Sequence, residues 1–292
     1  MASNKKAPGK KIKKGTVGNA MMTIGPMALW TILFFVFPFI YIIVVSFCSR
    51  DQFGNIVYSF SLNAYETLTH AVYLQVIGRT MKMAAIVTVL VTLIAYPYAY
   101  FASRASKKIQ TVLIIAVMVP FWINSLLRIY AIMNFTSKYG LINNFLMGMG
   151  IIKEPIQMLY TTGAVYFGLV YSLVPMMVMP LYSCLEKIDP AVLEAGRDLG
   201  CSSAQLFRKV IFPLSIPGIM GGLVLVFVPA MFNFYIADAL GGGKTIIIGN
   251  MISSQFSTSK NWPLGAALSV VVMIISTIII FIKNKVEKAR TY

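Results

Sequence analysis

The sequence has few charged residues and few groups that bind metals or act as catalysts. Only 12% of its 292 residues are Asp, Glu, Lys or Arg, compared with roughly 25% in a soluble domain. It contains one histidine, His70, and three cysteines, Cys48, Cys184 and Cys201, with no C-x-x-C motif and no close pair. This scarcity argues against a disulfide framework and a metal site, and it leaves no Ser/His or Cys/His cluster for an intramembrane enzyme.

Hydrophobic residues make up 58% of the chain and occur in runs long enough to cross a bilayer. A bilayer core about 30 Å thick needs about 20 apolar residues in a helix. Such runs predict an all-α membrane protein with six transmembrane helices, at residues 21–47, 83–103, 109–135, 160–183, 214–237 and 264–282. The predicted domains are a basic tail at 1–20, a six-helix membrane domain at 21–285 and a short tail at 286–292.

The Lys and Arg residues are predicted to lie mainly on one side of the membrane. A net charge of +16 would suggest a nucleic-acid partner in a soluble protein. A membrane protein, however, retains Lys and Arg on its cytoplasmic side for topological reasons, so no nucleic-acid partner is expected. With the N-terminus inside, most of the 25 Lys and Arg residues fall on the cytoplasmic side. Both termini are therefore predicted to be cytoplasmic.

The stretch "DALGGGKT" at 238–245 partly matches a phosphate-binding loop. That loop requires G-x-x-x-x-G-K-[ST], but Asp238 stands where the first glycine belongs. A carboxylate there would face phosphate oxygens, and the predicted topology places the stretch outside, away from cytoplasmic ATP. Gly241 to Thr245 are interpreted as a flexible glycine turn after the fifth predicted span.

The segment 184–219 contains the one long loop predicted on the cytoplasmic side, and its pattern predicts two short helices. Asp189 and Gly200 fit the start and end of the first helix, while Ser202 begins a capping box for the second, which Pro213 ends or kinks. An apolar face on the first helix is predicted to contain Val192, Leu193, Gly196 and Leu199. Such a helical pair suits docking into a groove of another protein; the alternative is a loop that folds back on the membrane surface.

Part of this loop resembles a known signature. The letters "EAG" at 194–196, the glycine at 200 and "VIFP" at 210–213 resemble the E-A-A-x-x-x-G-x9-I-x-L-P signature of the membrane subunits of ABC importers. The departures from it are Gly196, Val210 and Phe212. The resemblance implies the type I importer permease fold, with a coupling helix in the loop 184–213 that transmits the movement of a separate ATPase subunit. The residues expected to carry this coupling are Leu193, Glu194, Ala195, Gly196, Asp198, Gly200, Phe207 and Pro213.

A wider resemblance covers about residues 20–285. Fragments such as "VPFWINSLLRIYA" (119–131), "PAMFNFYIADALGGGKTIIIGNMI" (229–252) and "WPLGAA" (262–267) are together similar to the permeases of spermidine/putrescine importers. The resemblance implies a second homologous permease, an ATPase dimer and an extracytoplasmic polyamine-binding protein as partners. It also implies that this chain is a transport subunit in the lipid bilayer that binds no cofactor, with ATP and Mg²⁺ on the partner ATPase.

A polyamine path needs carboxylates, carbonyl oxygens or aromatic faces, because an isolated charge in hydrocarbon is very costly. The candidates near the outer ends of the predicted spans are Asp238, Tyr235, Phe234, Trp122, Asn124, Tyr130 and Trp262. The alternatives are that Asp238 is a partner for Lys244 and that the aromatic side chains form belts at the membrane interface.

Arg128 is the only formally charged residue within a predicted span. Its side chain is expected either to extend to the outer headgroups or to line the interface with the partner permease. The absence of Asp, Glu and His deep in the spans argues against an ion-coupled secondary transporter. A permease of the same architecture for another solute, such as iron, an anion or thiamine, remains the alternative.

Overall fold

The computed structural model describes residues 24–288, which form a helical bundle with one short β-hairpin. The helices are α1 Ile24–Ser46, α2 Asn63–Leu68, α3 Ala71–Arg104, α4 Lys107–Trp122, α5 Ser125–Thr136, α6 Leu141–Gly148, α7 Thr162–Leu185, α8 Pro190–Asp198, α9 Ser203–Phe232, α10 Phe234–Gly241, α11 Ile248–Ser257 and α12 Trp262–Lys288. The strands β1 (Ser49–Arg50) and β2 (Ile56–Val57) pair antiparallel. The predicted tail 1–20 lies outside the described residues. So do residues 289–292, which end the predicted tail 286–292.

Five helices of the described region, α1, α3, α7, α9 and α12, are long and apolar enough to cross a membrane. A sixth crossing exists if α4 and the helical stretch that follows it are taken as one bent span. The prediction of a helical membrane protein is therefore confirmed, with five or six crossings among residues 24–288.

The predicted third span, 109–135, is not one straight helix. α4 and the helical stretch after it differ in direction by 93°. Between them, Ile123 and Asn124 have extended backbone, with ψ angles of 138° and 132°. The side-chain oxygen of Asn124 accepts a hydrogen bond from the Leu126 N–H at 2.8 Å. This capping bond starts a new helix in a new direction, and it competes with continuation of the old one.

The predicted fifth span, 214–237, begins earlier and ends earlier in the structure. α9 starts at Ser203 and passes through a π-helical turn at Phe207–Ile211. The helix continues through Pro213, so the predicted helix end at Pro213 was wrong. The widened π-helical turn relieves the contact between a proline ring and the preceding turn. α9 stops before Asn233, whose ψ of 59° separates it from α10.

The centre of the bundle is formed by α3, α7 and α9, which make the most extensive contacts with one another. Small residues allow this close packing: Ala95 and Ala99 of α3 are fully buried, and Gly218 of α9 lies against the backbone of α7 at Pro180. Small residues are typical where membrane helices approach closely, because van der Waals packing drives their association. By contrast, α1 leaves most of its apolar side chains exposed, as a helix facing lipid does.

Hydrogen bonds between distant parts of the chain show which loops lie at the same end of the bundle. At one end, Arg104 of α3 donates to the carbonyl oxygens of Leu185 and Ile188, at 3.4 and 3.2 Å. At the other end, the Ile248 N–H donates to Thr80 Oγ1 at 2.9 Å. The segment 184–213 and the glycine-rich stretch therefore lie at opposite ends, in agreement with the predicted topology.

Candidate coupling segment and helix-break cavity

We call residues 184–213 the coupling segment. The first part of this segment folds as its sequence predicts. Asp189 caps α8 by accepting a hydrogen bond from the Ala191 N–H at 2.9 Å. Gly200 follows α8 with φ of +80°, and its N–H donates to the Arg197 carbonyl at 2.8 Å. A left-handed residue after the last turn satisfies carbonyl groups that the helix leaves free. The predicted cap and stop of the first helix are confirmed.

A capping box starts the second helix of the segment, as predicted. The hydroxyl of Ser202 accepts from the Gln205 N–H at 3.3 Å, and the side-chain oxygen of Gln205 accepts from the Ser202 N–H at 2.9 Å. Two helix-terminal N–H groups are thereby satisfied.

The apolar residues of α8 are divided between two surfaces, so the predicted single face was wrong. Leu193 and Gly196 are buried against the rest of the chain, while Val192 and Leu199 point outward and Leu199 is 85% exposed. A β-carbon on Gly196 would lie 2.6 Å from a methyl group of Leu206. Glycine at this position therefore lets the two short helices approach more closely than the alanine of the signature would.

The predicted coupling residues occupy three kinds of position. Leu193 and Gly196 hold α8 against α9, whereas four others lie on the outward surface: Glu194, Ala195, Asp198 and Gly200. Pro213 lies in the first turns of the apolar part of α9. The outward surface combines carboxylates with exposed apolar side chains, a combination that suits a protein partner better than hydrocarbon.

Phe207 connects the coupling segment to the centre of the bundle. Its ring lies 5.6 Å from the Tyr96 ring of α3 and 6.2 Å from the Phe212 ring, measured between centroids. The Tyr96 hydroxyl and Ser215 Oγ are 3.0 Å apart and share a hydrogen bond. Aromatic pairs at these distances stabilise their packing. This contact between α3 and α9 was not foreseen, because nothing in the local sequence around Tyr96 indicates it.

A cavity of about 400 Å³ lies where two helical paths are interrupted, between α4 and α5 and between α9 and α10. We call it the helix-break cavity. Its lining includes Trp122, Asn124, Arg128, Ser172, Asn233 and Tyr235. Three of the predicted pathway residues, Trp122, Asn124 and Tyr235, are thus brought together by the fold. The sequence did not indicate Asn233 and Ser172 as residues of this cavity, because each is a single polar residue in or beside an apolar run.

The other predicted pathway residues lie outside this cavity. Asp238 of α10 is exposed and accepts a hydrogen bond from the Asn250 side chain at 2.5 Å, so its partner in the structure is Asn250 rather than Lys244. Trp262 packs edge-on against Phe256, with ring centroids 5.3 Å apart. Two further candidates, Tyr130 and Phe234, are exposed.

Arg128 lines the helix-break cavity and makes it electropositive. Its guanidinium lies over the Phe121 ring, 5.5 Å from the centroid, and its Nε is buried without a hydrogen bond among the described residues. No carboxylate lines this cavity. A positive charge next to the start of α5 repels cations. The cavity therefore offers ammonium groups only aromatic faces and neutral oxygens from this chain.

These features define a class of protein: a multi-pass helical membrane protein with an exposed two-helix segment at one end and a cavity at broken helices. Residues 91–292 match the family described as "Binding-protein-dependent transport system inner membrane component". The chain belongs to this family and is a multi-pass inner-membrane protein.

Individual relatives support the same assignment. The chain is 40% identical over 267 residues, 91% of its length and 93% of the relative's, to the "Spermidine/putrescine transport system permease protein PotB" of Haemophilus influenzae. Its fold matches a solved bacterial ABC transporter for alginate with a TM-score of 0.77 at 15% identity, over 95% of this chain and 99% of that chain. A second alginate transporter structure, in complex with an alginate-bound periplasmic protein, matches with a TM-score of 0.74 at 16% identity, over 94% of both chains.

Proposed function

We propose that this chain is a permease subunit of an ATP-driven importer for the polyamines spermidine and putrescine. The observation that carries the proposal is the 40% identity, over nearly the whole of both chains, to a relative named for spermidine and putrescine transport. The proposed topology has six crossings, with α4 and the stretch after it as one bent span and both termini in the cytoplasm. The charge asymmetry of the sequence supports this orientation.

The proposed partners are a second homologous permease, a dimer of ATPase subunits and an extracytoplasmic polyamine-binding protein. The coupling segment supports the ATPase partner, because its outward surface at Glu194, Asp198 and Leu199 has the mixed character of a docking surface. We infer that ATP and Mg²⁺ bind the ATPase and that this chain binds no cofactor. An extracytoplasmic partner is supported by the periplasmic protein bound to the alginate transporter of the same fold.

Uptake measurements test the proposed function. Cells that lack this gene are complemented with the unmodified chain, and uptake of labelled spermidine and putrescine is followed after ATP depletion or after collapse of the proton gradient. We expect restored uptake that is lost on ATP depletion and survives collapse of the gradient. An assembled complex that restores no polyamine uptake contradicts the substrate, and uptake that follows the gradient contradicts the importer class.

We expect the Asp238→Asn variant to weaken spermidine uptake. The amide oxygen of asparagine can still accept the hydrogen bond from Asn250, so the substitution removes the charge while it leaves the contact. Losing one attractive charge near a polycation is expected to raise the KM about tenfold with little change in abundance. Glu154→Gln, which removes another exposed carboxylate before α7, is the control. Equal KM values for both variants and the unmodified chain would show that Asp238 is not part of the polyamine path.

A further inference from the structure

α4 is attached by hydrogen bonds to both α3 and α7. On the α3 side, the Tyr98 hydroxyl donates to the Leu113 carbonyl oxygen at 2.6 Å; on the α7 side, the attachment is through one buried polar side chain. Of the 16 residues of α4, Gln110 alone is buried, with 5% of its surface exposed. The amide of a buried glutamine must find hydrogen-bond partners away from water. It finds them on α7: its Nε2 donates to Glu186 Oε1 at 3.0 Å and to the Tyr182 hydroxyl.

Arg104, the last residue of α3, makes a second connection to the same end of α7. Its guanidinium donates to the carbonyl oxygens of Leu185 and Ile188, at the C-terminal end of α7. Cationic side chains stabilise a helix C-terminus because they satisfy its free carbonyl groups and its dipole. Gln110, Tyr182 and Glu186 form what we call the α4–α7 joint, and Arg104 holds the end of α3 against the same end of α7.

The charge on Glu186 strengthens the joint. Lys107 donates a hydrogen bond to Glu186 at 3.2 Å, and this bond, more than those from Tyr182 and Gln110, holds the pKa of the Glu186 carboxyl below its usual value. The carboxyl is therefore ionised at neutral pH, and a hydrogen bond from Gln110 to an ionised acceptor is stronger than one to a neutral group. Lys107 itself is 85% exposed, so its own ion pair contributes little.

The joint links the beginning of the coupling segment, which contains Glu186, to the helix that leads to the helix-break cavity. Glu186 comes three residues before Asp189, which caps α8. From Gln110, α4 runs to Trp122 at the cavity. The helical path from Gln110 to Trp122 is about 18 Å long at 1.5 Å per residue. A helix held at one end by a polar joint, and followed by a sharp break, can carry a displacement over that distance.

We propose that the α4–α7 joint transmits movement of the coupling segment through α4 to the helix-break cavity, with Gln110 as the positioning residue. This inference rests on the proposed function for the source of the movement. Displacement of α8 pulls on the end of α7 at Glu186, Gln110 moves with it, and α4 shifts Trp122 and Asn124 at the cavity. Without the joint, α4 keeps its attachment to α3 but no longer follows the end of α7, so ATP is hydrolysed without opening the path.

The test uses the complete complex in proteoliposomes, with labelled spermidine moved and ATP hydrolysed measured together. Gln110→Met keeps the side-chain length but removes both hydrogen bonds of Gln110, whereas Tyr182→Phe leaves the bond from Gln110 to Glu186 in place. We expect the amount of spermidine moved per ATP to fall about tenfold in Gln110→Met and less in Tyr182→Phe, as expected when buried hydrogen bonds are lost. Lys107→Met, which removes only the exposed ion pair, is the matched control and should keep the normal ratio.

A second measurement does not depend on the solute. Ile123→Cys, at the break beside the cavity, is introduced into a chain whose three native cysteines are replaced. Its labelling by a water-soluble maleimide is compared with and without a non-hydrolysable ATP analogue. We expect the nucleotide to change the labelling rate in this chain and to leave it unchanged when Gln110→Met is added.

The outcomes separate the inference from the proposed function. If Gln110→Met keeps the normal amount of spermidine moved per ATP and the normal effect of nucleotide on labelling, the proposed role of the joint is wrong. Parallel loss of hydrolysis, uptake and assembled complex also overturns it, because Gln110 then only holds the fold together. If the unmodified complex moves no spermidine, the proposed substrate fails while the labelling measurement still decides the role of Gln110.

Discussion

A Gly200→Trp variant is expected to insert into the membrane and to lose transport. Gly200 has φ of +80°, a conformation that costs a residue with a side chain about 1–2 kcal/mol. No atom lies within 4 Å of the position where a β-carbon would stand, so the indole projects outward and does not enter the bundle. The variant should keep its membrane helices while the turn after α8 is distorted and the outward surface is blocked.

The matched control for this variant is Gly150→Trp. Gly150 follows α6 with φ of +71° and likewise has no atom within 4 Å of a β-carbon position, so the local backbone cost is similar. Membrane abundance is measured by immunoblot, and spermidine uptake by labelled substrate. We expect both variants to insert and only Gly200→Trp to abolish uptake. Normal uptake at normal abundance in Gly200→Trp would contradict the coupling role of the segment.

A Gly218→Val variant is expected to lose most of the folded subunit. A β-carbon on Gly218 would lie 2.7 Å from Cys184 Cβ and 2.9 Å from the carbonyl oxygen of Pro180. A backbone oxygen cannot move aside as the end of a flexible side chain can, so α7 and α9 must separate. Overpacking of this kind costs about 1–3 kcal/mol or more, and here it falls at the contact that forms the centre of the bundle.

Gly221→Val provides the comparison, since it places the same β-branched side chain one turn away on the same helix. Its β-carbon would make only an ordinary contact of 3.6 Å with Pro180 Cβ. Thermal unfolding in detergent and yield of the purified complex measure the difference. We expect a clearly lower Tm and yield for Gly218→Val, and values near those of the unmodified chain for Gly221→Val. Equal behaviour of the two variants would mean that α7 and α9 are less tightly packed at Gly218.

The helix signals that depend on neighbouring residues were predictable from the sequence. The Asp189 cap, the Ser202 capping box and the left-handed Gly200 are confirmed, because each depends on hydrogen bonds between residues two to four positions apart. Hydropathy likewise predicted the apolar spans, because length and composition alone decide whether a helix can cross a bilayer. The coupling and pathway roles of individual residues stay predictions.

Features that depend on distant residues were not predictable. The pattern of apolar residues continues through Ile123, so it did not reveal the 93° break between α4 and the next helix. Pro213 indicated a helix end, but α9 continues through it after a π-helical turn. The division of the α8 side chains into inward and outward surfaces depends on where α9 lies, which the α8 sequence does not specify.

By itself, the sequence determined the membrane class, the approximate spans, the helix caps and the family signature, since these follow from composition and local spacing. Only the tertiary structure decided that Trp122, Asn124 and Tyr235 meet at one cavity and that Gln110 attaches α4 to α7. The reason is physical: these contacts join residues far apart in the chain, and they form only after packing of the helices has selected which polar side chains meet.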